Sequence, residues 1–509
     1  MRSIAATRCS SSDRRPGFSS MPETSGSSMP PSAKPDPSLG WALGGIALLT
    51  AFRLALLPFD RADLFTDDAQ YWLWGQDLAW GYYSKPPLIG WILWLSTAIG
   101  GDGMTAIRAP LPILHGLTAL VVLAAGRTIF GPRAGAIAGL AYVTAPAVAV
   151  ASLLVSTDTP MLLFFALALL AHWRLTRARS LPRAVLLGVA VGLGALAKYA
   201  ALYFVPCAVI AAAALPMARI AWRDALVAAA VALAILAPNL WWNYANSFSA
   251  VTHVVDHNAG LENAARFEPG RLAEAVFSQF GISGPVIFGA WLLGLGALRR
   301  DRRIAYLACF SLPIFAVVLL VATRSPVNAN WTAAAHVAVF LAAGQVLRDR
   351  PGWTRAGIGI NLAVSLLLPI AVIFAPTLRI GDGDLLLKRY VGRAEASRHI
   401  AEIARGAGLD TIVSGDRSTL ADAFYTLRES GLAIYAEPVE GFPPHHYAQK
   451  HPLPAGPGEV LFITTSPEGP ACRNPEATFA PVAEWQPNGY SNKPLYAFRV
   501  PRACFFPPA

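Results

Sequence analysis

The chain has little charge. Asp, Glu, Lys and Arg together make up 14% of its 509 residues, whereas soluble globular proteins carry about 25%. Hydrophobic residues make up 54% of the chain, and its mean hydropathy is +0.45. This composition excludes an ordinary soluble globular protein and predicts an integral membrane protein.

Cysteine is also scarce, with five in the whole chain and no CxxC pair or His/Cys cluster that would argue for a structural metal. Cys207 and Cys309 lie in apolar runs and are expected to be inert buried thiols. Cys472 and Cys504 lie together near the C-terminus. A disulfide between them is a hypothesis that depends on this part of the chain facing an oxidising compartment.

Basic residues exceed acidic ones, for a net charge of +10. The arginines fall in short clusters between apolar runs, which is the distribution of cytoplasmic loops in membrane proteins. We therefore expect membrane lipids as partners, and no nucleic acid.

Apolar runs near bilayer length predict a polytopic membrane protein of the all-α class with about eleven transmembrane helices. Their approximate bounds are 41–59, 109–126, 134–151, 160–175, 184–198, 200–216, 224–240, 283–298, 304–322, 331–347 and 356–376.

The loops on the two sides of these runs differ in charge. The loops on one side hold fifteen arginines, and those on the other side hold seven Lys and Arg residues over a greater length. Because Lys and Arg collect in cytoplasmic loops, the N-terminus is predicted to be cytoplasmic. The loops 60–108 and 239–281 and the C-terminal segment are then extracytoplasmic.

Composition divides the chain into three segments. Residues 1–40 are rich in Ser and Pro and are predicted to be a disordered cytoplasmic tail. Residues 41–376 form the transmembrane domain, and residues 377–509 are predicted to form a small extracytoplasmic α/β domain. Its predicted helices are 395–407 and 419–428, and its predicted strands are 411–413, 432–435, 460–464 and 496–500.

A polar and aromatic tract, residues 65–72 (Phe-Thr-Asp-Asp-Ala-Gln-Tyr-Trp), follows the first apolar run. Asp67 and Asp68 are adjacent, so on a helix their side chains diverge by about 100°. They are unsuited to act as a two-carboxylate glycosidase pair. One aimed base with a structural or ion-coordinating neighbour fits better, and the alternative is a solvated acid that caps the helix 69–78.

Other polar residues stand out against the apolar background. Lys85 precedes two prolines near the interface, where it could bind a phosphate or simply snorkel at a helix end. Asp158 lies in a short predicted hairpin, where it could bind the substrate or cap a helix. Lys198 interrupts an apolar stretch, and Arg324 could supply a second phosphate contact. His253 and His257 have i, i+4 spacing, but no convincing third metal ligand accompanies them.

Residues 67–72 (Asp-Asp-Ala-Gln-Tyr-Trp) and 85–88 (Lys-Pro-Pro-Leu) resemble the outer-loop motifs of polytopic GT-C glycosyltransferases. The similarity is to the dolichyl-phosphate-mannose protein mannosyltransferase and aminoarabinose (lipid A) transferase type. Weaker matches follow in order at 156–158, 197–199, 238–243 and 330–331. Many such enzymes have Asp-His-Pro-Pro where this chain has Ser-Lys-Pro-Pro, and the lysine form resembles the lipid A transferases. The second carboxylate is Asp68 rather than the commoner Glu.

The resemblance implies transfer of a sugar from a polyprenyl-phosphate carrier to an acceptor hydroxyl, with inversion, at the outer face of the inner membrane. It implies Asp67 as the catalytic base and Lys85 as the phosphate ligand, helped by Lys198 or Arg324. Further substrate contacts are expected from Asp68, Tyr71 and Asp158. No metal ligand is assigned, and a divalent cation is left open as a cofactor.

Other acceptors and other classes of protein are also considered. A lipid-linked acceptor, such as lipopolysaccharide, lipid A or another cell-envelope glycan, is favoured over a protein hydroxyl because of Lys85. A transporter or flippase without covalent chemistry would show internal repeats, and none is evident. A non-catalytic scaffold that presents the C-terminal domain would tolerate loss of both Asp67 and Lys85.

Overall fold

The structure is a computed structural model that describes residues 36–246, 268–379, 381, 383–472, 479–490 and 493–506. Up to Ile373 the described chain is helical. The helices are α1 (Pro37–Leu56), α2 (Thr66–Gln76), α3 (Leu88–Gly100), α4 (Met104–Arg108), α5 (Pro110–Phe130), α6 (Pro132–Thr144), α7 (Pro146–Ala151), α8 (Asp158–Leu175), α9 (Leu181–Ala197), α10 (Phe204–Ala214), α11 (Trp222–Ala245), α12 (Pro269–Ser283), α13 (Pro285–Leu295), α14 (Arg302–Cys309), α15 (Leu312–Ala322), α16 (Ala333–Leu347) and α17 (Pro351–Ile373).

Within the described residues, five helical segments are long and apolar enough to cross a membrane, or seven if each of two bent helix pairs is one span. The unbroken segments are Pro37–Phe59, Met104–Phe130, Trp222–Ala245, Ala329–Leu347 and Pro351–Ile373. The predicted multi-pass helical class is confirmed, and the number of eleven spans stays a prediction.

Two boundaries differ from the predictions. Helix α1 begins at Pro37, so residues 37–40 are helical rather than disordered. Asp36 accepts a hydrogen bond from the Ser38 amide, and proline suits the first helical position. The predicted outer loop 60–108 contains α2, α3 and α4, and α3 is itself apolar.

Helix α16 lies at the centre of the membrane domain. Nearly all of its residues are buried. A Cβ atom added at Gly344 would lie 2.5 Å from the carbonyl oxygen of Ala134 in α6, so only glycine allows the two backbones to approach this closely. Small residues at helix contacts are typical of membrane proteins.

A sharp break separates α12 from α13, which bend by 110° relative to each other. Gly284 at the break has φ +89°, a conformation that favours glycine. The Asn361 side chain of α17 donates to the carbonyl of Ser283 at 2.8 Å, which satisfies a backbone group that the break would otherwise leave unpaired. Such compensation is required for irregular backbone at membrane depth.

The described residues beyond 390 form an α/β domain, as predicted. Its helices are α18 (Arg393–Gly406), α19 (Arg417–Thr426) and α20 (His446–Lys450), and its strands are β1 (Thr411–Ser414), β2 (Ala433–Ala436), β3 (Glu459–Thr464), β4 (Pro481–Trp485) and β5 (Leu495–Pro501). The sheet order is β2-β1-β3-β5-β4. β1 pairs in parallel with β2 and β3, and β5 is antiparallel to β3 and β4. Strand β4 and helix α20 were not predicted.

A disulfide joins Cys472 to Cys504, which confirms the hypothesis drawn from the sequence. Cys504 packs with Phe462 and Phe505 in the apolar layer on one face of the sheet. The bridge therefore ties the loop after β3 to the C-terminal end of the described chain.

The α/β domain rests on the predicted outer loop 60–108 of the membrane domain through an apolar contact. Trp72 and Trp74 of α2 share one buried cluster with Leu420 and Ala421 of α19 and with Tyr447. The two domains are therefore held face to face beside α2.

A buried arginine network reinforces this contact. The Arg393 guanidinium is 3.1 Å from the carboxylate of Asp422 and donates to the Thr66 hydroxyl at 2.7 Å, while its backbone amide donates to Asp63. The Tyr490 hydroxyl donates to the same Asp422 carboxylate. Arg393 and Asp422 are each only 3% exposed, so each depends on the other for charge compensation.

Replacing Arg393 with Ala should loosen the α/β domain, because Asp422 would keep a buried charge without its counter-ion. Breaking a buried pair in this way costs about 3–5 kcal/mol. We expect a lower thermal unfolding midpoint for Arg393→Ala in detergent. The matched control is Arg398→Ala, an exposed arginine on the same helix. Equal midpoints for the two variants would contradict this role.

Candidate functional site

Arg108 fixes the chain that leads into α2. It is 1% exposed, donates to the Asp60 carboxylate at 2.8 Å and to the Ala62 carbonyl at 3.0 Å, and reaches the Asp63 carbonyl at 2.9 Å. A guanidinium can donate five hydrogen bonds in a fixed plane. One side chain can therefore hold the successive residues of this turn.

Helix α2 sends its two acidic side chains in different directions. It begins at Thr66 rather than at 69, so both acids lie in its first turn, and Asp68 accepts from the amide of the N-cap residue Phe65 as the capping interpretation had suggested for an acid here. The Asp67 side chain is 44% exposed and lines a cavity. Asp68 is buried, where its carboxylate accepts from the Val155 amide at 3.0 Å and from the Phe65 amide at 3.4 Å.

The prediction of Asp68 as a substrate ligand is corrected by this placement. Asp68 is 1% exposed and is not part of the cavity wall. Its carboxylate lies 4.0 Å from Arg108 and joins α2 to the segment before α8. In this structure Asp68 therefore contacts protein groups and does not reach the cavity.

The cavity beside Asp67 has a volume of about 890 Å³. Its polar wall comes from the outer loop, the start of α19 and the segment after α9, and its apolar wall comes from α15 and the turn before α10. The lining residues are Asp67, Gln70, Tyr71, Tyr83, Ser84, Lys85, Pro86, Lys198, Tyr199, Ala200, Leu202, Tyr203, Val317, Val318, Val321, Asn328, Trp331, Arg417, Pro444 and His445. A cavity with both surfaces can hold a polar group joined to an apolar chain.

Asp67 is held by an arginine of the α/β domain. Arg417, the first residue of α19, donates from Nη2 to the Asp67 carboxylate and from Nε to the Gln70 side chain at 2.8 Å. Its side chain is 39% exposed and lines the cavity. The two domains therefore build this site together.

Lys85 differs from the other cations of the cavity in having no counter-ion. In the described part of the chain, no carboxylate or hydrogen-bond acceptor contacts its ammonium. Burial and the nearby Lys198 lower the pKa of Lys85, which lies outside the spanning helices. An unpaired cation in a partly buried place is a ready binding point for an anion.

Lys198 is fully engaged by Asp158. Its Nζ atom lies 2.7 and 2.9 Å from the two carboxylate oxygens of Asp158, and Asn330 donates to the same carboxylate at 2.7 Å. Lys198 ends α9 with an extended conformation, and a turn of 3-10 helix follows it. This break places a charged residue on the cavity wall.

A series of hydrogen bonds behind the cavity wall connects α11 to the loop between α2 and α3. The Tyr199 hydroxyl bonds the side chains of Asn239 and Asn243 at 3.0 Å each, and Asn239 donates to the Trp80 carbonyl at 2.7 Å. These asparagines belong to the tract at 238–243. They orient Tyr199, which lines the cavity.

His445 lines the cavity but its ring is already occupied. Nδ1 accepts from the Ala448 amide at 3.1 Å, so Nε2 carries the proton and donates to the Gly415 carbonyl at 3.1 Å. Burial lowers the pKa of His445, which favours this neutral form. Asp67 is therefore the better placed base.

The structure brings Asp67, Tyr71, Lys85 and Lys198 together on one cavity, with Asp158 behind Lys198. Arg324 is not brought there. It is exposed after the end of α15, and the described cavity wall does not include it.

The site also contains residues that sequence reasoning missed. Arg417 and His445 come from a domain that matched no motif, and Arg417 is separated from Asp67 by 350 positions. The available signal was an arginine directly after Asp416, just before the predicted helix 419–428. That signal does not reveal what the side chain faces.

Among the described residues, no group of three or more His, Cys, Asp or Glu side chains is placed to hold a metal ion. The pair His253 and His257 lies outside the described residues.

Comparison with known proteins gives matches along the chain. The family model described as dolichyl-phosphate-mannose-protein mannosyltransferase matches residues 84–242. Lipid A galacturonosyltransferase RgtD of Rhizobium johnstonii is 40% identical over 466 residues, which cover 90% of this chain and 97% of that protein. Lipopolysaccharide core galacturonosyltransferase RgtA of the same organism is 32% identical over 246 residues, 46% of this chain and 48% of that protein.

Solved structures with the same fold include ArnT from Cupriavidus metallidurans. In its apo state it is 15% identical, with a TM-score of 0.64, over 93% of this chain and all of that one. Bound to undecaprenyl phosphate it is 16% identical, with a TM-score of 0.62, over 92% of this chain and 99% of that one.

Asp68 should make stability depend on pH. Burial raises the pKa of its carboxyl to about 7, despite the opposing effect of Arg108, from an unfolded value of about 3.9. Folding therefore favours the protonated form, so the ionised carboxylate destabilises the protein above about pH 7 and this cost disappears as the pH falls. The thermal midpoint of the wild type, relative to Asp68→Asn, should rise between about pH 8.5 and about pH 5.5.

The control for this measurement is Asp77→Asn, which changes an exposed acid at the end of the same helix. It should keep the pH dependence of the wild type. A midpoint that varies with pH identically in the wild type and in Asp68→Asn would contradict the assignment.

Proposed function

The chain belongs to the GT-C glycosyltransferase family that includes the lipid A galacturonosyltransferase RgtD, and we propose that it transfers a galacturonic acid from a polyprenyl-phosphate carrier to lipid A. The donor and acceptor classes rest on the relatives. RgtD is named for galacturonosyl transfer to lipid A, and ArnT has been solved with undecaprenyl phosphate. Transfer to a protein hydroxyl by the same chemistry is the alternative.

One observation carries the proposal. The cavity places a carboxylate, Asp67, and an unpaired ammonium, Lys85, on a wall that continues into the apolar residues Val317, Val318 and Val321. A polyprenyl-phosphate sugar has the same sequence of groups, with a sugar, a phosphate and an apolar tail. The donor can therefore lie with its phosphate at Lys85 and its tail along α15.

The reaction needs one base. The acceptor oxygen attacks the anomeric carbon of the sugar, the bond from that carbon to the phosphate oxygen breaks, and the phosphate leaves with the electron pair. Asp67 takes the proton of the acceptor hydroxyl, a contribution worth about 10²–10⁴-fold in rate. Attack from the side opposite the phosphate inverts the configuration of the anomeric carbon.

The leaving group needs cations rather than an acid. A departing phosphate is a weak base, so stabilising its growing charge matters more than protonating it. Lys85 is free to supply that charge. Lys198, which Asp158 and Asn330 hold in place, lies on the same cavity and can add to it.

The proposed orientation places this site at the outer face of the inner membrane, with the N-terminus in the cytoplasm. The Cys472–Cys504 disulfide supports it, because disulfides persist in the periplasm and are rare in the cytoplasm. The bias of arginines toward the opposite loops points the same way.

Asp67→Asn should abolish transfer, because an amide cannot accept the proton. The measurement is mass spectrometry of lipid A from cells that lack the protein and are complemented with wild type or variant. We expect a mass increment of one hexuronic acid with wild type and none with Asp67→Asn.

The control variant is Asp77→Asn, which should restore the increment fully. Equal rescue by Asp67→Asn would remove Asp67 from the mechanism and favour transport or scaffolding. A lipid A mass that never depends on the protein, together with a loss of sugar from another glycan or a protein, would redirect the acceptor.

Lys85→Ala should weaken use of the donor by about 10- to 150-fold in kcat/KM, the value of a lost charge-assisted contact. Lys85→Arg should recover part of the loss, since it keeps the charge. Lys388→Ala removes a half-exposed lysine that precedes the α/β domain and pairs with Asp384, and it serves as the control. Unchanged donor kinetics in Lys85→Ala would mean that Lys85 only snorkels at the interface.

A further inference from the structure

We propose that Arg417 binds the carboxylate of the uronic acid carried by the donor, and that the same guanidinium holds Asp67 until that carboxylate arrives. This inference rests on the proposed function, which supplies the anionic sugar. It adds a specificity residue from the α/β domain and makes the sugar's own charge a condition for releasing the base.

The guanidinium of Arg417 has unused capacity directed at the cavity. Of its five N–H groups, one on Nε is used by Gln70 and one on Nη2 by Asp67. In the described part of the chain the remaining three have no acceptor, and Arg417 lines the cavity. A planar guanidinium with free N–H groups matches a carboxylate, which it can bind through two parallel hydrogen bonds.

The charges of the cavity favour a dianionic donor. Lys198 is neutralised by both oxygens of Asp158. Among the described residues, Lys85 has no counter-ion, so it suits the single charge of the donor phosphate. Within the same residues Arg417 is balanced only by Asp67, and that balance is lost when Asp67 accepts a proton in the reaction. A carboxylate on the sugar would restore it.

The Arg417–Asp67 ion pair also opposes catalysis as it stands. Arg417 occupies one of the two oxygens of the Asp67 carboxylate, and the positive charge of the guanidinium makes Asp67 a weaker base. A uronate carboxylate bound to the free N–H groups shares that positive charge, so it weakens the pair and makes Asp67 a stronger base. A neutral sugar adds no negative charge, so the pair keeps its full strength when the donor is bound.

The attachment of Arg417 is suited to this exchange. Gln70, which lies on α2 with Asp67, holds Nε and so keeps the guanidinium at the cavity when Asp67 lets go. The backbone of Arg417 is fixed at the start of α19, where Asp416 accepts from the Thr419 amide at 2.8 Å. Only the far end of the side chain has to change its partner.

The experiment compares two donors that differ only at C6 of the sugar. These are polyprenyl phosphate galacturonate and polyprenyl phosphate galactose, with a carboxylate and a hydroxymethyl group respectively, and lipid A is the acceptor. The quantity is the ratio of kcat/KM for the two donors. For Arg417→Gln we expect the galacturonate value to fall about 10- to 150-fold, while the galactose value stays the same or rises.

Two further variants separate recognition from folding. Arg417→Lys keeps the charge but not the paired geometry, so its selectivity should lie between wild type and Arg417→Gln. Arg428→Gln changes an exposed arginine just after α19 and should keep the wild-type ratio. If Arg417→Gln does not fold, the lower ratio in Arg417→Lys alone supports the proposal.

The outcomes distinguish this inference from the proposed function. A wild-type protein that transfers neither sugar overturns the proposed function. A wild-type protein that transfers both with equal kcat/KM keeps the transferase and overturns the role of Arg417. An equal fall for both donors in Arg417→Gln would mean that Arg417 only positions Asp67, and it too would overturn the proposal.

Discussion

The buried Arg108 is the contact on which the geometry of the site depends. Its guanidinium gathers Asp60 and the carbonyls of Ala62 and Asp63 and faces Asp68. This turn has to be held, because it directs α2 along the edge of the membrane domain that contacts the α/β domain. With α2 fixed, Asp67 faces the cavity and the tryptophans of α2 face the α/β domain. An irregular segment this close to the membrane is stable only because its polar groups are satisfied internally.

The pairing of charges around the cavity follows from the high free energy of an unpaired charge beside apolar groups. An unpaired charge near hydrocarbon is expensive, and the free protein reduces this cost by pairing Lys198 with Asp158 and Arg417 with Asp67. Lys85 is the exception, and an exception of this kind is expected where a substrate supplies the missing charge. Under the proposed function, the pairs therefore do more than stabilise the fold, because they decide which cations are free for the donor.

Much of the fold and part of the site could be predicted from the sequence. The remainder could not, for a physical reason. Local patterns located two of the three helices and four of the five strands of the C-terminal domain to within a few residues, since periodicity reports which face is buried, and they missed β4 and α20. The outer-loop residues Asp67, Tyr71 and Lys85 were found because they are close together in the chain. Arg417 was not, because its contact with Asp67 is made by packing two domains. Asp68 and Arg324 were placed on the site by charge alone, and charge does not say which way a side chain points.

The joint origin of the site has a consequence for the whole catalytic cycle under the proposed mechanism. After transfer, Asp67 is protonated and can no longer hold Arg417, so the guanidinium stays with the carboxylate of the transferred sugar. Once Asp67 loses its proton to water, it competes for Arg417 again and displaces that carboxylate. The ion pair that delays the base in the free protein thus helps to release the product. Because Arg417 belongs to α19, the α/β domain takes part in both steps, and its firm attachment through Arg393 and Asp422 is a requirement of the chemistry as well as of the fold.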